Sequence, residues 1–422
     1  MSDARFLQIH TLTSYPGTLL NRDDAGFAKR LPFGGATRTR VSSQCLKYHW
    51  RNYDGEHALY AMDVPKSIRS RETFKRKVAD PLVEEGYPRP LVACVVMTLM
   101  ELILSDSKPS KTAYKNVLSG DEDIDEVLET SQVTILGEPE IRYLGRLTAD
   151  VLDPFQDDLG VLWEDPEAEL SKEQTDAACD AFKAISKGDL KKNLRGLALA
   201  AGLDAAMFGR MATSDALARG DAAVHVAHSF TTHEEESESD YFSAVDELKS
   251  AGAEGELGSG HINSSELTSG LFYGYLVVDV PLLVSNLQGC KRTEWREADP
   301  ELAARVVDRL IHLVATVSPG AKLGSTAPYA WSECVLAESG SHQPRTLANA
   351  FRAPVEEQPD VLANSYEAMG EHVRQFDAMY GRHAERKLAG IGPIDELAGQ
   401  VEAGEPVSLD DLAAWAADQV RR

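Results

Sequence analysis

The strongest constraint on the fold is the order of the apolar, β-branched runs along the chain. "RFLQIHTLTS" (5–14), "AAVHVAHSFTTH" (222–233), "GLFYGYLVVDVPLL" (270–283) and "WSECVLAES" (331–339) each read as a strand. All are short and rich in the Val, Ile, Thr, Phe and Tyr that suit a pleated, buried surface. After the first run a helix is expected to start at Ser42 or Ser43, with a serine as its N-cap. In that helix Leu46, Trp50 and Tyr53 share one face at i, i+4, i+7. A second amphipathic helix, "DPELAARVVDRLIHLVATV" (299–317), precedes the last run. With the long middle segment set aside, the order is strand, helix, strand, strand, helix, strand. That is the ferredoxin-like βαββαβ pattern of an α+β fold. One common use of this pattern is to bind single-stranded RNA on the sheet face.

Residues 66 to about 220 read as mostly helical, broken by the acidic stretches "DEDIDE" (121–126) and "DPFQDDLGVLWEDPEAE" (153–169). No Gly/Ser-rich spacer sets this segment apart, so it reads as an insertion and not as a linked module. Its apolar run "LVACVVMTLMELILS" (91–105) is too short to span a bilayer and Glu101 interrupts it, which predicts a buried helix. The chain is expected to be soluble and cytoplasmic, with no membrane partner. The polar stretch 234–269 holds a short helical piece, "DYFSAVDELKSA" (240–251). A glycine-rich loop, "SPGAKLGSTAPYA" (318–330), precedes the last strand. Two or three helices are expected to close the chain, the last capped by Ser408 with Asp411.

Charge is distributed unevenly. The net charge is -24, yet residues 1–78 hold 14 Lys and Arg against 7 Asp and Glu, and the remainder holds 29 against 60. A basic sector on an acidic body fits one anion-binding face and a surface that repels nucleic acid elsewhere. The cations concentrate in "LNRDDAGFAKRLPFGGATRTRVSSQCLK" (20–47), around the pair Gly34-Gly35. Ser43, Lys47 and Arg51 continue the stripe at i, i+4, i+8 on the expected helix. Arg22, Lys29, Arg38, Arg40, Lys47 and Arg51 can neutralise phosphates, while Ser42 and Gln44 stand where a helix start offers N–H donors to an anion. The two glycines allow close backbone approach. Such a set suits sequence-independent contact with a phosphate backbone. The competing physical reading is a cluster of charges on a solvated face.

Other chemistry is poorly supported. "PGAKLGST" lacks the G-x-x-x-x-G-K-[ST] spacing of a P-loop, because Lys322 precedes Gly324. His225, His228 and His233 lie close together, but 225 and 228 point to opposite faces of a strand and no H-E-x-x-H accompanies them. Core or interface histidines are expected there, with no metal and no cofactor. Five scattered cysteines (Cys45, Cys94, Cys179, Cys290, Cys334) form no C-x-x-C pair and read as unpaired thiols. Ser43 and Lys47 are four apart, not the three of an S-x-x-K nucleophile, and no G-x-S-x-G occurs. His10 or His225 could act as a general base in an RNA-cleaving site, which keeps a metal-independent endoribonuclease of related fold as the alternative function.

Several segments together carry a family likeness: "FLQIHTLTSYPGTLLNRDDAG", "FGGATRTRVSSQCLK", "GRMATSD", "AHSFTTH", "DYFSAVDELKS", "SSELTSGLFYGY" and "PGAKLGSTAPYA". In order and character they resemble the backbone (CasC) subunit of the type I-E CRISPR Cascade complex. The resemblance runs from about residue 5 to 352 and is weakest between about 108 and 175. It implies a non-enzymatic protein with an RRM-like palm (1–60 and 221–352), a helical fingers insertion (61–220), a thumb (234–269) and a C-terminal helical segment (353–422). It implies that several copies assemble along one CRISPR RNA, beside other Cascade subunits, and display the RNA for pairing with target DNA. By position, the family's guide contacts fall on Arg22, Lys29, Ser42, Gln44, Lys47 and Arg51, and its base-wedging methionine on Met211. Tyr48 stands where the family often has a basic residue, so one phosphate contact is expected to be missing or replaced by stacking.

Overall fold

The computed structural model describes residues 5–104, 109–165, 168–185, 187–195, 197, 199, 201–210, 221–245 and 259–422. In chain order its strands are β1 (Phe6–Thr18), β2 (Arg30–Phe33), β3 (Ala36–Val41), β4 (Ser67–Ser70), β5 (Thr134–Gly137), β6 (Val224–Val226), β7 (Ser229–Thr231), β8 (Glu236–Val245), β9 (Ser259–Asp279), β10 (Cys334–Gly340) and β11 (Ala384–Gly390). The chain divides into two compact units. One holds Met1–Met62, Val224–Pro281 and Asp299–Arg422, and the other holds Asp63–Ala223 and Leu282–Ala298.

The first unit is built on one sheet with the order β11-β10-β1-β9-β7-β3-β2, to which β6 and β8 add by pairing with β9. β1 lies antiparallel between β9 and β10, His10 standing opposite Tyr275 on one side and Leu336 on the other. Every residue from Leu7 to Thr13 is buried, because helices cover both faces of this strand. On the face of Tyr15 and Phe272 lies α1 (Ser43–Asn52), whose Leu46 packs into that cluster and whose Trp50 is 3% exposed. The helix Glu301–Thr316 covers the same face, with Val306, Val307, Leu310 and Ile311 fully buried. On the opposite face, Leu12, Tyr273 and Leu336 are packed under Tyr366, Met369 and Val373 of the helix Val361–Tyr380. That cover excludes this part of the sheet face from binding RNA, although sheet-face binding is one common use of the pattern.

The C-terminal segment is not only helical. Ala384–Gly390 forms β11, which extends the sheet beside β10 with Leu336 opposite Leu388. Its Arg386, Leu388 and Ala389 are buried by pairing that only the folded sheet offers. The expected helical piece at 240–251 is also corrected: 240–245 belong to β8, which pairs with β9 from Glu236↔Ser269 to Val245↔Ser259. β9 is 21 residues long, and only its part from Thr268 onward pairs with β1. The rest forms a two-stranded ribbon with β8, whose residues 236–241 are exposed. The remainder of that piece, 246–251, lies outside the described residues.

The second unit is mainly helical, with the small β4–β5 pair. Its core is the helix Arg89–Leu104, in which Leu91 through Met100 are all buried. Apolar side chains all round this helix are explained by the elements that surround it, among them helices Lys111–Ser119, Glu138–Leu152 and Lys172–Lys183. Buried polar groups here are paired: Arg210 Nη1 donates to Glu140 at 2.6 Å, and Ser67 Oγ donates to Asp204 at 2.7 Å.

Candidate nucleic-acid interface

The basic arm folds as a hairpin. Arg30 pairs with Thr39, and Phe33 pairs with Ala36, so Gly34-Gly35 is the whole turn. Both glycines have positive φ, +63° and +88°, which a two-residue hairpin turn demands and L-residues resist. A Cβ on Gly34 would sit 1.6 Å from the carbonyl oxygen of Arg352. The glycine pair therefore serves the turn and its docking, not the approach of a phosphate.

Arg38 leaves the anion-binding set. It is 0% exposed, and its two terminal nitrogens donate to the carbonyls of Thr231, Thr232, His233, Phe351 and Arg352. A guanidinium whose two terminal nitrogens are held by five carbonyl oxygens, with only its buried Nε left unbonded, is a structural clamp with no reach to solvent. Alternation puts Arg38 and Arg40 on the same side of β3 and does not separate them; the carbonyls of residues 231–233 and 351–352 close over Arg38, while Arg40 stays half-exposed.

Ser42 caps α1 by accepting from the Cys45 amide at 3.3 Å. Its own amide donates to Asn21 Oδ1 at 2.9 Å. The Ser43 amide donates to Nδ1 of His228 at 3.0 Å. Two of the first three helical amides are thus satisfied within the protein, so side-chain cations outweigh helix-end amides as anion ligands here. His228 is exposed, on the turn between β6 and β7. Partial burial first, and then the charges of Arg40, Lys29 and Lys47, hold its imidazole below the usual histidine range. Those three cations, all from the basic arm, therefore lie near enough to His228 at the start of α1 to act on its charge. Sequence reasoning missed His228 as a member of this site; the nearby helix start gave no sign of it, because a bond between residues 43 and 228 depends on tertiary placement.

Beside this point is a cleft lined by Arg22, Asp24, Cys45, His49, Gly320 and Ala321, among others. Its rim, the 20–28 loop, is held by Asp23, which accepts from the amides of Ala25 and Phe27 at 2.9 Å each. Arg22 is exposed there, and Gln44 is exposed on the first turn of α1. One turn further on, the Arg51 guanidinium lies 5.9 Å from the centroid of the Tyr48 ring, which is 56% exposed. Arg30 faces away from this group and pairs with Glu235 and Glu266 at the base of the β8–β9 ribbon. Met211 lies outside the described residues.

His10 is 0% exposed, with Nδ1 against the Tyr273 hydroxyl at 2.9 Å and Nε2 against Glu338 at 3.2 Å. Burial lowers its pKa; Glu338, although burial opposes its charge, is held far below the usual carboxylate range by the bond from His10 and then by Arg345, and Arg386 also binds it. This is a satisfied core network and gives His10 no route to a substrate. His233 is likewise buried, accepting from the Leu271 amide at 3.1 Å, whereas His225 and His228 are exposed, so of the expected core or interface histidines only His233 is a core residue. Among the described residues no group of three His, Cys, Asp or Glu could hold a metal ion, and no cysteine is paired. Among them also, no helix is long and apolar enough to cross a membrane.

No curated protein matches the sequence. Among solved structures, a chain of a "CRISPR RNA-guided surveillance complex, pre-nicking" is similar with a TM-score of 0.71 at 24% identity, over 97% of this chain and 100% of that one. A chain of a "CRISPR RNA-guided surveillance complex" is similar with a TM-score of 0.61 at 21% identity, over the same shares. At these identities the likeness is one of fold. A family model described as CT1975-like protein matches residues 7–415, almost the entire length. The chain therefore belongs to the CT1975-like protein family.

Proposed function

We propose that this protein binds CRISPR RNA as a subunit of a Cascade-type surveillance complex. Within that reading it is a non-catalytic backbone subunit of the type I-E kind. Several copies assemble along the guide, beside other Cascade subunits, and display it for pairing with target DNA. The single observation that carries the reading is the convergence of Lys29, Arg40 and Lys47 on the start of α1, in a protein of net charge -24. Arg22, Gln44 and Arg51 stand around the same helix and are proposed to share the phosphate contacts, with Ser42 shaping the turn. Tyr48, carrying Arg51 on its ring, offers stacking where a basic residue was expected. The strand order β10-β1-β9-β7, with the first and last core strands adjacent, supports an RRM-like palm, and the exposed β8–β9 ribbon supports a thumb. The similarity in fold to chains of CRISPR RNA-guided complexes points the same way.

Purification followed by measurement of native mass and of the 260/280 nm absorbance ratio tests the proposal. The expected result is bound RNA, or long particles once CRISPR RNA is supplied. A protein that stays monomeric and shows no RNA affinity at low salt would overturn it. Incubation with labelled repeat RNA addresses the CRISPR-associated endoribonuclease alternative: His10 is sealed in the core, His225 is exposed, and intact RNA is the expected result.

A further inference from the structure

A cavity of about 340 Å³ lies within the first unit, over the Gly340 end of β10 and the Ala384 end of β11, and no residue of the basic arm lines it. Strand register explains why it exists. Gln8, Glu338 and Arg386 stand opposite one another on β1, β10 and β11, so their side chains share one face of the sheet. The next row on that face is Phe6, Gly340 and Ala384. Two of these three have little or no side chain, and the space they leave is roofed by the end of the helix Val361–Tyr380.

The floor is polar, and most of it is already paired. Glu338 accepts from Arg345 at 2.7 and 3.0 Å and from Arg386 at 2.7 Å, and it faces His10. Both oxygens of Asp377 accept from Arg386, at 2.6 and 2.8 Å. Two carboxylates and two guanidiniums thus neutralise one another, and none is left over to draw an ion. Gln8 is the exception. It is 8% exposed, and its Oε1 accepts from the Tyr275 hydroxyl at 2.9 Å and the Arg345 amide at 2.7 Å. Its Nε2 has no partner among the described residues, and neither has Nε of Arg345. A primary amide carries two N–H groups, and leaving them unmet in a buried place is costly. The floor therefore offers an occupant donors.

The walls are rings. Phe376 and Tyr380, one turn apart on the helix, lie with centroids 5.4 Å apart, and the Arg345 guanidinium sits 5.2 Å from the Phe376 centroid. At the mouth His342 and His383 are stacked, with centroids 4.0 Å apart and planes 22° from parallel. Flat aromatic walls favour a flat guest.

We propose that this cavity binds a neutral, planar heteroaromatic molecule of purine size that presents hydrogen-bond acceptors on its edge. The acceptor edge takes the free N–H groups of Gln8 and Arg345, and the ring lies against Phe376 and Tyr380. An anion would meet Glu338 and Asp377 with no spare cation beside them, and a ring carrying only donors would leave the Gln8 amide unmet. The inference does not rest on the RNA-binding reading.

Isothermal titration calorimetry on the full chain tests it with three probes. Caffeine has edge acceptors and no donor; indole is of similar size and has a donor only; benzoate is an anion. Caffeine is expected to bind roughly ten-fold or more tightly than either of the others, the worth of satisfying a buried amide. Ala384→Leu fills the space without touching the polar row and should abolish caffeine binding. Tyr380→Ala removes a ring that is 58% exposed. It should weaken caffeine binding by roughly five- to ten-fold and leave the melting temperature of the free protein as in wild type. Gln8→Leu should erase the preference for caffeine over indole. Equal binding of caffeine and indole, or no binding of caffeine up to its solubility, would overturn the proposal. So would caffeine binding that survives Ala384→Leu, which would place the ligand elsewhere on the chain.

Discussion

The backbone amide of Ser43 donates to Nδ1 of His228 over 3.0 Å, joining the first turn of α1 to the β6–β7 turn 185 residues away. Only a neutral imidazole with its proton on Nε2 can accept this bond. Burial and the charges of Arg40, Lys29 and Lys47 favour that neutral form.

A pH dependence follows. A histidine whose folded pKa is depressed contributes stability above the unfolded value of about 6.5, and loses it as pH falls through the lower folded value. His228→Ala should therefore cost about 1 kcal/mol near pH 7.5, the worth of one hydrogen bond. The difference in thermal stability between wild type and variant should shrink as pH falls below about 6.5. A difference that persists unchanged at low pH would contradict the bond's role.

Arg38 gives a contrast between charge and function. Arg38→Ala would take the guanidinium away from five carbonyl oxygens, of which those of Thr232 and His233 keep the Val355 amide and the Thr231 hydroxyl as donors, and the buried carbonyls left short are expected to cost about 3 kcal/mol in total. Arg38→Lys should restore little, because an ammonium cannot span carbonyls on two separate segments as a planar fork does. Denaturant unfolding of the two variants checks both statements.

The two glycines of the β2–β3 turn should respond differently. Gly34→Ala meets the Arg352 carbonyl and also needs positive φ, whereas a Cβ on Gly35 meets nothing within 4 Å. Gly35→Ala is expected to cost about 1–2 kcal/mol from backbone conformation alone. Gly34→Ala should cost clearly more and loosen the contact between the hairpin and residue 352, measurable as faster amide exchange on β2 and β3.

Lys47→Ala with Arg51→Ala should weaken binding to single-stranded RNA about equally for unrelated sequences. The slope of log affinity against log salt should fall by about 1 to 2, as expected when two phosphate contacts are removed. Thermal stability should change little. A variant that loses affinity for one sequence only would mean that these residues read bases.

Much of the fold was legible in the sequence because it is set by local pattern. Four apolar runs and two amphipathic stretches became β1, β6 with β7, β9, β10, α1 and the helix Glu301–Thr316, and the serine cap at residue 42 followed from its chemistry. β11 and β8 were not legible. Their segments, "AERKLAG" and "ESESDYFSAV", carry no decisive period, and each becomes a strand by pairing with one already in place.

The sequence by itself determined that a basic, glycine-containing segment would precede the first helix, since charge and turn chemistry are properties of the residues. Which cations face outward was decided only by tertiary structure. Arg38 and Arg40 have the same side chain two positions apart, yet one is closed in by the carbonyls of residues 231–233 and 351–352 while the other stays beside His228. The same holds for His10 and His228. Burial, and the partners that burial brings, make one a silent part of the core and place the other among the cations at the start of α1.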